Sequence, residues 1–243
     1  EKEGIDLVMV CALDAVGELH DRIRNFPRAW SKVSETIEAL SLLKEKNSNL
    51  IVGLKTTILP LNIDELNRIS SFAEDKGLFT IISPGIITEG RYLNLDHAED
   101  LSFSMEDIQK MVDFFSSDKF QWSFHAESLV DFFKTGTMKK PCSCGFNYFF
   151  VRSNGEMYLC PLIKKSVGNI TKTDVSDLFF SDSANKIRKT IGKLSQCREC
   201  TEPGLERYSL PVEGLQYLKM LFKLGRSDFM QLHCHMGLNK YLG

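Results

Sequence analysis

Cys142, Cys160, Cys197 and Cys200 are the residues of this 243-residue chain whose types and spacing best suit chemistry. Cys160 closes a Gly155-x4-Cys160 stretch, and Cys197 and Cys200 form a C-x2-C pair. Thiolates gather in this way to hold a metal centre. Two from a C-x2-C loop and two from a hairpin can converge on a single zinc or on the irons of a 4Fe-4S cube. A zinc ribbon usually carries two C-x2-C knuckles. This chain has one, its other half being Cys142-Ser143-Cys144-Gly145 followed by the distant Cys160. The spacing therefore favours iron and sulfide, and leaves a noncatalytic α/β binding module with a structural zinc held by four cysteines as the alternative. The 7 cysteines are odd in number and lie mostly after position 140, which suits a cytosolic metal site better than a disulfide framework. Cys11 reads as a core residue of a strand. Cys234, between His233 and His235, reads as a buried thiol in a helical tail.

Composition sets the bounds. A chain with 43% hydrophobic and 26% charged residues is an ordinary globular protein, and 30 basic against 32 acidic residues give no electrostatic footprint for nucleic acid. The basic stretch from Lys186 to Lys193 is spaced by Ile187 and Ile191 as a solvated helix face would be. The longest apolar run, Ile5 to Leu13, is about half the ~20 residues a membrane span needs. No signal peptide is evident, so the expected location is cytoplasmic, with no membrane partner. The chain opens at Glu1 without Met and runs at once into a strand, and so reads as the C-terminal part of something longer.

The elements that must position these thiols alternate in the first half. Ile5 to Leu13 suits a strand buried on both faces. A helix with Trp30, Val33, Ile37, Leu40 and Leu43 inward follows. Leu50 to Leu59 is a second strand, Asn62 and Glu65 open a helix carrying Ile63, Leu66, Ile69 and Phe72, Gly77 stops it, and Leu78 to Ser83 is a third strand. Two consecutive βαβ units predict a parallel sheet, with ligand-facing residues at Leu13 to Gly17, Thr57 to Pro60 and Ser83 to Gly85. From Gly85 to Phe103 no period is visible, and a lid or insertion is expected. Ser104 and Asp107 open a helix with Ile108, Met111, Val112 and Phe115 inward. A further helix carries Phe124, Val130 and Phe133, and Thr135 to Pro141 reads as a linker.

In the cysteine module, Phe146 to Arg152 and Glu156 to Cys160 read as strands joined through Asn154-Gly155, both of which tolerate positive φ. Val167 to Ile170 leads to a helix near Asp174 and a longer one with Ala184, Ile187, Ile191 and Leu194 inward. Pro211 to Gly243 reads as helical, with Val212, Leu215, Leu218 and Phe222 on one face.

The run Cys142-x2-Gly145, Phe149-Phe150-Val151, Asn154-Gly155-x4-Cys160-Pro161, Gly168-Asn169-Ile170 and Cys197-x2-Cys200 resembles the auxiliary-cluster region of radical S-adenosylmethionine enzymes of the SPASM/twitch class. Glu206 and Leu210 stand where a full module has two more cysteines, so the resemblance is to the shortened, single-cluster form. It implies Cys142, Cys160, Cys197 and Cys200 as ligands of an auxiliary 4Fe-4S cluster. Cys142 is a better match than Cys144 because it lies three residues before Gly145. Upstream, Leu13-Asp14-Ala15 and His20-Asp21-Arg22-Ile23-Arg24 resemble the segment after the fourth strand of the radical SAM barrel. This implies that Arg24, with Asp14 nearby, approaches the S-adenosylmethionine carboxylate through parallel hydrogen bonds. Ala12 and Ala15 depart from the serine and glycine common there.

The fold so implied is α/β. It is the second half of a partial (β/α)6 TIM-type barrel over residues 1–138, a small α+β twitch/SPASM-like cysteine domain with a β-hairpin over 139–204, and a helical tail over 205–243. The implied activity of the intact protein is hydrogen abstraction by a 5′-deoxyadenosyl radical, leading to oxidation or modification of a peptide or small-molecule substrate. Its cofactors are then S-adenosylmethionine and a second 4Fe-4S cluster, with a reductant such as flavodoxin or ferredoxin as partner. The CxxxCxxC signature that holds that second cluster occurs nowhere in the 243 residues, so this stretch of chain by itself is expected to be inactive. Pro161 replaces the aspartate of sulfatase-maturing relatives, which argues against that substrate class.

Overall fold

The structure is a computed structural model, and it describes residues 7–88, 92–117, 124–139, 142, 144–146, 148–201, 215 and 217–232. It is a mixed α/β protein that divides into two compact units. The first comprises 1–85, 103–126 and 219–243, the second 86–102 and 127–218.

The first unit is built on a parallel three-stranded sheet in the order β1 (Leu7–Ala12), β2 (Leu50–Ile58), β3 (Phe79–Pro84). Leu7 pairs with Leu50 and Gly53 with Phe79, which aligns the carboxyl ends of all three strands. β2 is central and alternates, with Leu50, Val52, Leu54, Thr56 and Ile58 buried and Ile51, Lys55 and Thr57 half-buried. Two helices follow β1, α1 (Glu18–Arg24) and α2 (Ala29–Lys46), and α3 (Leu66–Asp75) joins β2 to β3. Ile37 of α2 and Ala73 of α3 pack with Leu50, Val52 and Leu54, and Trp30 meets Phe72 edge-on at 5.6 Å. Gly53 is required by the neighbouring strand, since a Cβ there would lie 2.4 Å from the Phe79 ring.

β1 differs from expectation. It is an edge strand among the described residues, and Leu7, Met9 and Val10 are exposed rather than buried on both faces. Cys11 is half-buried against the core instead of inside it. Asn62 and Glu65 also differ, because Pro60–Glu65 is a 3-10 turn and the α-helix starts only at Leu66. The polar side chains of that turn are used elsewhere, as described below.

The segment after β3 is more ordered than its lack of period suggests. Asn94 accepts from the Thr88 N–H at 2.8 Å and donates to the Ile86 carbonyl at 3.0 Å. A 3-10 turn at Leu95–His97 and α4 (Ala98–Leu101) follow. α5 (Met105–Phe115) starts at a capping box in which Ser104 and Asp107 bond each other's backbone N–H, and it buries Met111, Phe114 and Phe115. α6 (Phe124–Thr135) buries Ala126 and Leu129 beside the expected Val130.

The second unit carries the antiparallel sheet β4 (Phe150–Val151), β5 (Glu156–Tyr158), β6 (Gly168–Asn169), followed by α7 (Val175–Phe179) and α8 (Asp182–Arg188). Its core is Met157, Leu159, Val167, Leu178, Ala184, Ile187 and Ile191, with Cys144 and Cys160 among them. Helical residues 217–224 form α9, and α10 is Arg226–Leu232. There the expected apolar face is overturned. Leu215, Leu218 and Phe222 are exposed, while Tyr217, Met220 and Phe229 are buried. The helix uses the neighbouring i, i+3 row, because a stripe with an aromatic and a thioether in register fills the space better than the leucine row. Val212 and Cys234 lie outside the described residues.

Candidate metal centre

Cys142, Cys144 and Cys160 are brought together by the hairpin. β4 and β5 pair Phe150 with Tyr158 and Val151 with Met157. The connection is a type I turn rather than a two-residue turn with both φ positive. The Gly155 N–H donates to the Arg152 carbonyl at 2.8 Å, the Arg152 N–H donates to Glu156 at 2.9 Å, and only Gly155 has positive φ, at 85°. Stacked Phe150 and Tyr158 rings, 4.9 Å apart, stiffen the pair just before Leu159 and Cys160.

Cys160 is buried and begins a turn in which Pro161 presets the backbone. The N–H groups of Leu162 and Ile163 donate to its sulfur. A hydrogen bond from the Cys144 thiol, helped by these two N–H groups, holds Cys160 below the usual thiol range against the opposing effect of burial. Cys142 is half-buried, and its Sγ accepts from the Cys144 N–H at 3.4 Å. Cys144 is fully buried and its own Sγ donates to the Leu159 carbonyl at 2.8 Å. Hydrogen bonding with Cys142 and Cys160, with burial, pushes the Cys144 thiol far up.

Cys197 lies in a 3-10 turn, Ser195–Glu199, and Cys200 ends it. Both are half-buried free thiols. The Met138 N–H donates to the carbonyl of Arg198, between those two cysteines, at 2.6 Å. Cys142 is four residues from Met138, so its Cα lies within roughly 14 Å of that bond. The two halves of the expected ligand set are thus tied by backbone. Among the described residues, however, no three His, Cys, Asp or Glu side chains are disposed about one point as a metal ion requires. The fit to an iron–sulfur centre therefore rests on the chemistry of the donors. Amide N–H groups aimed at Cys142 and Cys160 are what a thiolate ligand needs to spread its charge, and the cysteine-only donor set is that of such clusters.

Residues 142–201 match the SPASM family, an iron-sulfur cluster-binding domain. The match spans about a quarter of the chain, begins at Cys142 and ends one residue beyond Cys200. Comparison with curated proteins gives no match. Within the SPASM segment, Gly145 (φ 76°) is fixed by contact, since a Cβ there would meet Ile191 at 2.8 Å. Gly145 also accepts from Arg188 of α8 at 2.5 Å, which ties the Cys142–Gly145 arm to the helical half of the domain.

The second group of expected site residues sits at the carboxyl ends of the parallel strands. Asp14, 3% exposed, accepts from the Thr57 N–H at 3.1 Å and pairs with Arg24 at 2.6 Å. Three partners were not anticipated from sequence. Asn62 donates to the Asp14 and Thr57 carbonyls at 2.8 and 3.0 Å, Glu65 accepts from the Val16 N–H at 3.3 Å, and the His20 Nδ1 accepts from the Asp14 N–H at 3.2 Å. Their spacing carried a signal that reading Asn62 and Glu65 as a helix start hid. Asp21, inside the His20–Arg24 motif, caps α2 by accepting from Arg28 at 3.0 Å and Trp30 at 2.7 Å. Among the described residues, no helix is long and apolar enough to cross a membrane.

Proposed function

We propose that this chain is the auxiliary-cluster part, with adjoining barrel strands, of a radical S-adenosylmethionine enzyme that oxidises or otherwise modifies a peptide or small-molecule substrate. The observation that carries the reading is the SPASM match over 142–201, on a segment whose Cys142 and Cys160 sulfurs already accept backbone N–H bonds. Cys142, Cys160, Cys197 and Cys200 are the residues that hold the 4Fe-4S cluster, which supplies one-electron chemistry when bound. Four thiolates leave no iron open, so electron transfer, not substrate ligation, is its role. The protein's part is to hold the sulfurs, exclude water and orient what reacts.

The parallel sheet supports the barrel part of the reading. α2 and α3 cover one face, while the other carries Lys55 and Thr57, as a face turned to a ligand would. Arg24 and Asp14 lie at the strand ends, where parallel sheets take ligands. Arg24 has five N–H donors and is partly exposed, so a bond to Asp14 leaves others for a substrate carboxylate. The reductant is an electron carrier such as flavodoxin or ferredoxin, and the setting is the cytoplasm.

Anaerobic reconstitution with iron and sulfide tests the reading. A brown protein absorbing near ~400 nm, with about four irons and four sulfides per chain, is expected. A colourless protein carrying one zinc per chain overturns it.

A further inference from the structure

We propose that Cys144 is a positioning residue of the cluster site: a buried thiol that stays off the iron and locks the turns of Cys142 and Cys160 into register. The proposal rests on the iron–sulfur reading above and deepens it.

The three sulfurs in contact are not equivalent in what they accept. Cys142 accepts an amide N–H from Cys144, and Cys160 accepts two, from Leu162 and Ile163. These are acceptor sulfurs, the state a ligand must be in. Cys144 is a donor. Its one hydrogen lies among the Leu159 carbonyl at 2.8 Å and the sulfurs of Cys142 and Cys160. A metal-bound sulfur at that place would set a negative charge against a carbonyl oxygen in a site with 0% exposure, and would forfeit the bond.

The backbone leaves Cys144 little room to turn into a ligand. Gly145 is held by its N–H to the Tyr148 carbonyl at 2.9 Å and by Arg188 on its own carbonyl. Cys144 thereby reaches both ligand turns at once, its N–H on Cys142 and its Sγ on the residue before Cys160. An S–H beside ligand sulfurs also favours the reduced, more negative cluster, so its loss lowers the reduction potential.

The test compares the full chain with Cys144→Ser, Cys144→Ala and Cys142→Ala after anaerobic reconstitution. Circular dichroism checks that each is folded. Iron and sulfide content, the electron paramagnetic resonance of the reduced cluster, its midpoint potential and the rate of iron loss to a chelator are then read. Cys144→Ser, whose hydroxyl can keep the bond to Leu159, is expected to load iron fully and to lose it at the wild-type rate. Cys144→Ala is expected to load but to lose iron about tenfold faster and at a lower potential. Cys142→Ala is expected to load poorly. The proposal is overturned if Cys144→Ser and Cys144→Ala both fail to load while Cys142→Ala loads, which makes Cys144 the ligand. It is equally overturned if Cys144→Ala matches wild type in potential and iron loss. Wild-type protein that takes up zinc and no iron defeats the cluster assignment itself, a result separate from either.

Discussion

His20 shows how one buried side chain organises a strand end. It is 2% exposed, and its Nδ1 accepts the Asp14 N–H, so its proton resides on Nε2. Burial lowers its pKa from 6.5, with the Asp14 charge opposing. The fold favours the neutral ring, so its stabilisation is complete above about 6.5 and is lost as pH falls through the lower folded-state value. Urea unfolding of wild type and His20→Asn between pH 7.5 and 5 checks this. The Asn oxygen can stand in for Nδ1 without titrating, so the stability advantage of wild type should shrink as the solution becomes more acid. Parallel pH profiles would refute the assignment. The spacing of His20, Asp21 and Arg24 was legible in sequence, but the division of labour was not. Asp21 caps α2 across a turn and His20 bonds backbone, and neither choice is encoded locally.

At the level of elements, the hairpin is the part of the site most open to a direct test. Gly155 has φ 85°, and a Cβ on it would lie 2.6 Å from the Asn169 Oδ1. Asn169 in turn bonds the Asn154 carbonyl at 2.9 Å and the Thr171 N–H at 2.9 Å, so it cannot yield freely. Gly155→Ala should cost more than the ~1–2 kcal/mol of a left-handed alanine alone. Gly192→Ala is the comparator, since φ is 80° there but nothing lies within 4 Å, and it should cost only that backbone increment. Equal melting temperatures for the two variants would contradict the role given to Asn169.

The strands and helices of the first half were legible because each carries a strong period, Ile37 and Ile69 being fully buried as their rows required. The row 215, 218, 222 misled because α9 and α10 offer competing rows. Periodicity ranks such rows by hydrophobicity, while packing chooses among them by shape.

Across the whole molecule, the exposed edge of the parallel sheet has the largest practical effect. β1 is paired only to β2 among the described residues, and Leu7, Met9 and Val10 present apolar surface beside its unpaired backbone. Such edges recruit other strands. Val10→Lys should reduce light scattering on concentration without changing the circular dichroism spectrum, and unchanged scattering would show that association arises elsewhere. The continuous apolar run from Ile5 to Leu13 announced a strand but not its place in the sheet, because an edge and a centre differ in neighbours and not in composition. The cysteine centre was legible for the opposite reason. Its ligand types and spacing are dictated by the group to be held, so they survive in sequence where packing detail does not.

The place of β2 between two partners has a kinetic expression. Every amide of its ladder can exchange with solvent deuterium only after β1 or β3 has detached, whereas the outward amides of β1 are open at all times. Deuterium uptake should therefore run fastest along Leu7–Ala12 and slowest along Leu50–Ile58, and the slow set marks the last structure to come apart when the first unit unfolds.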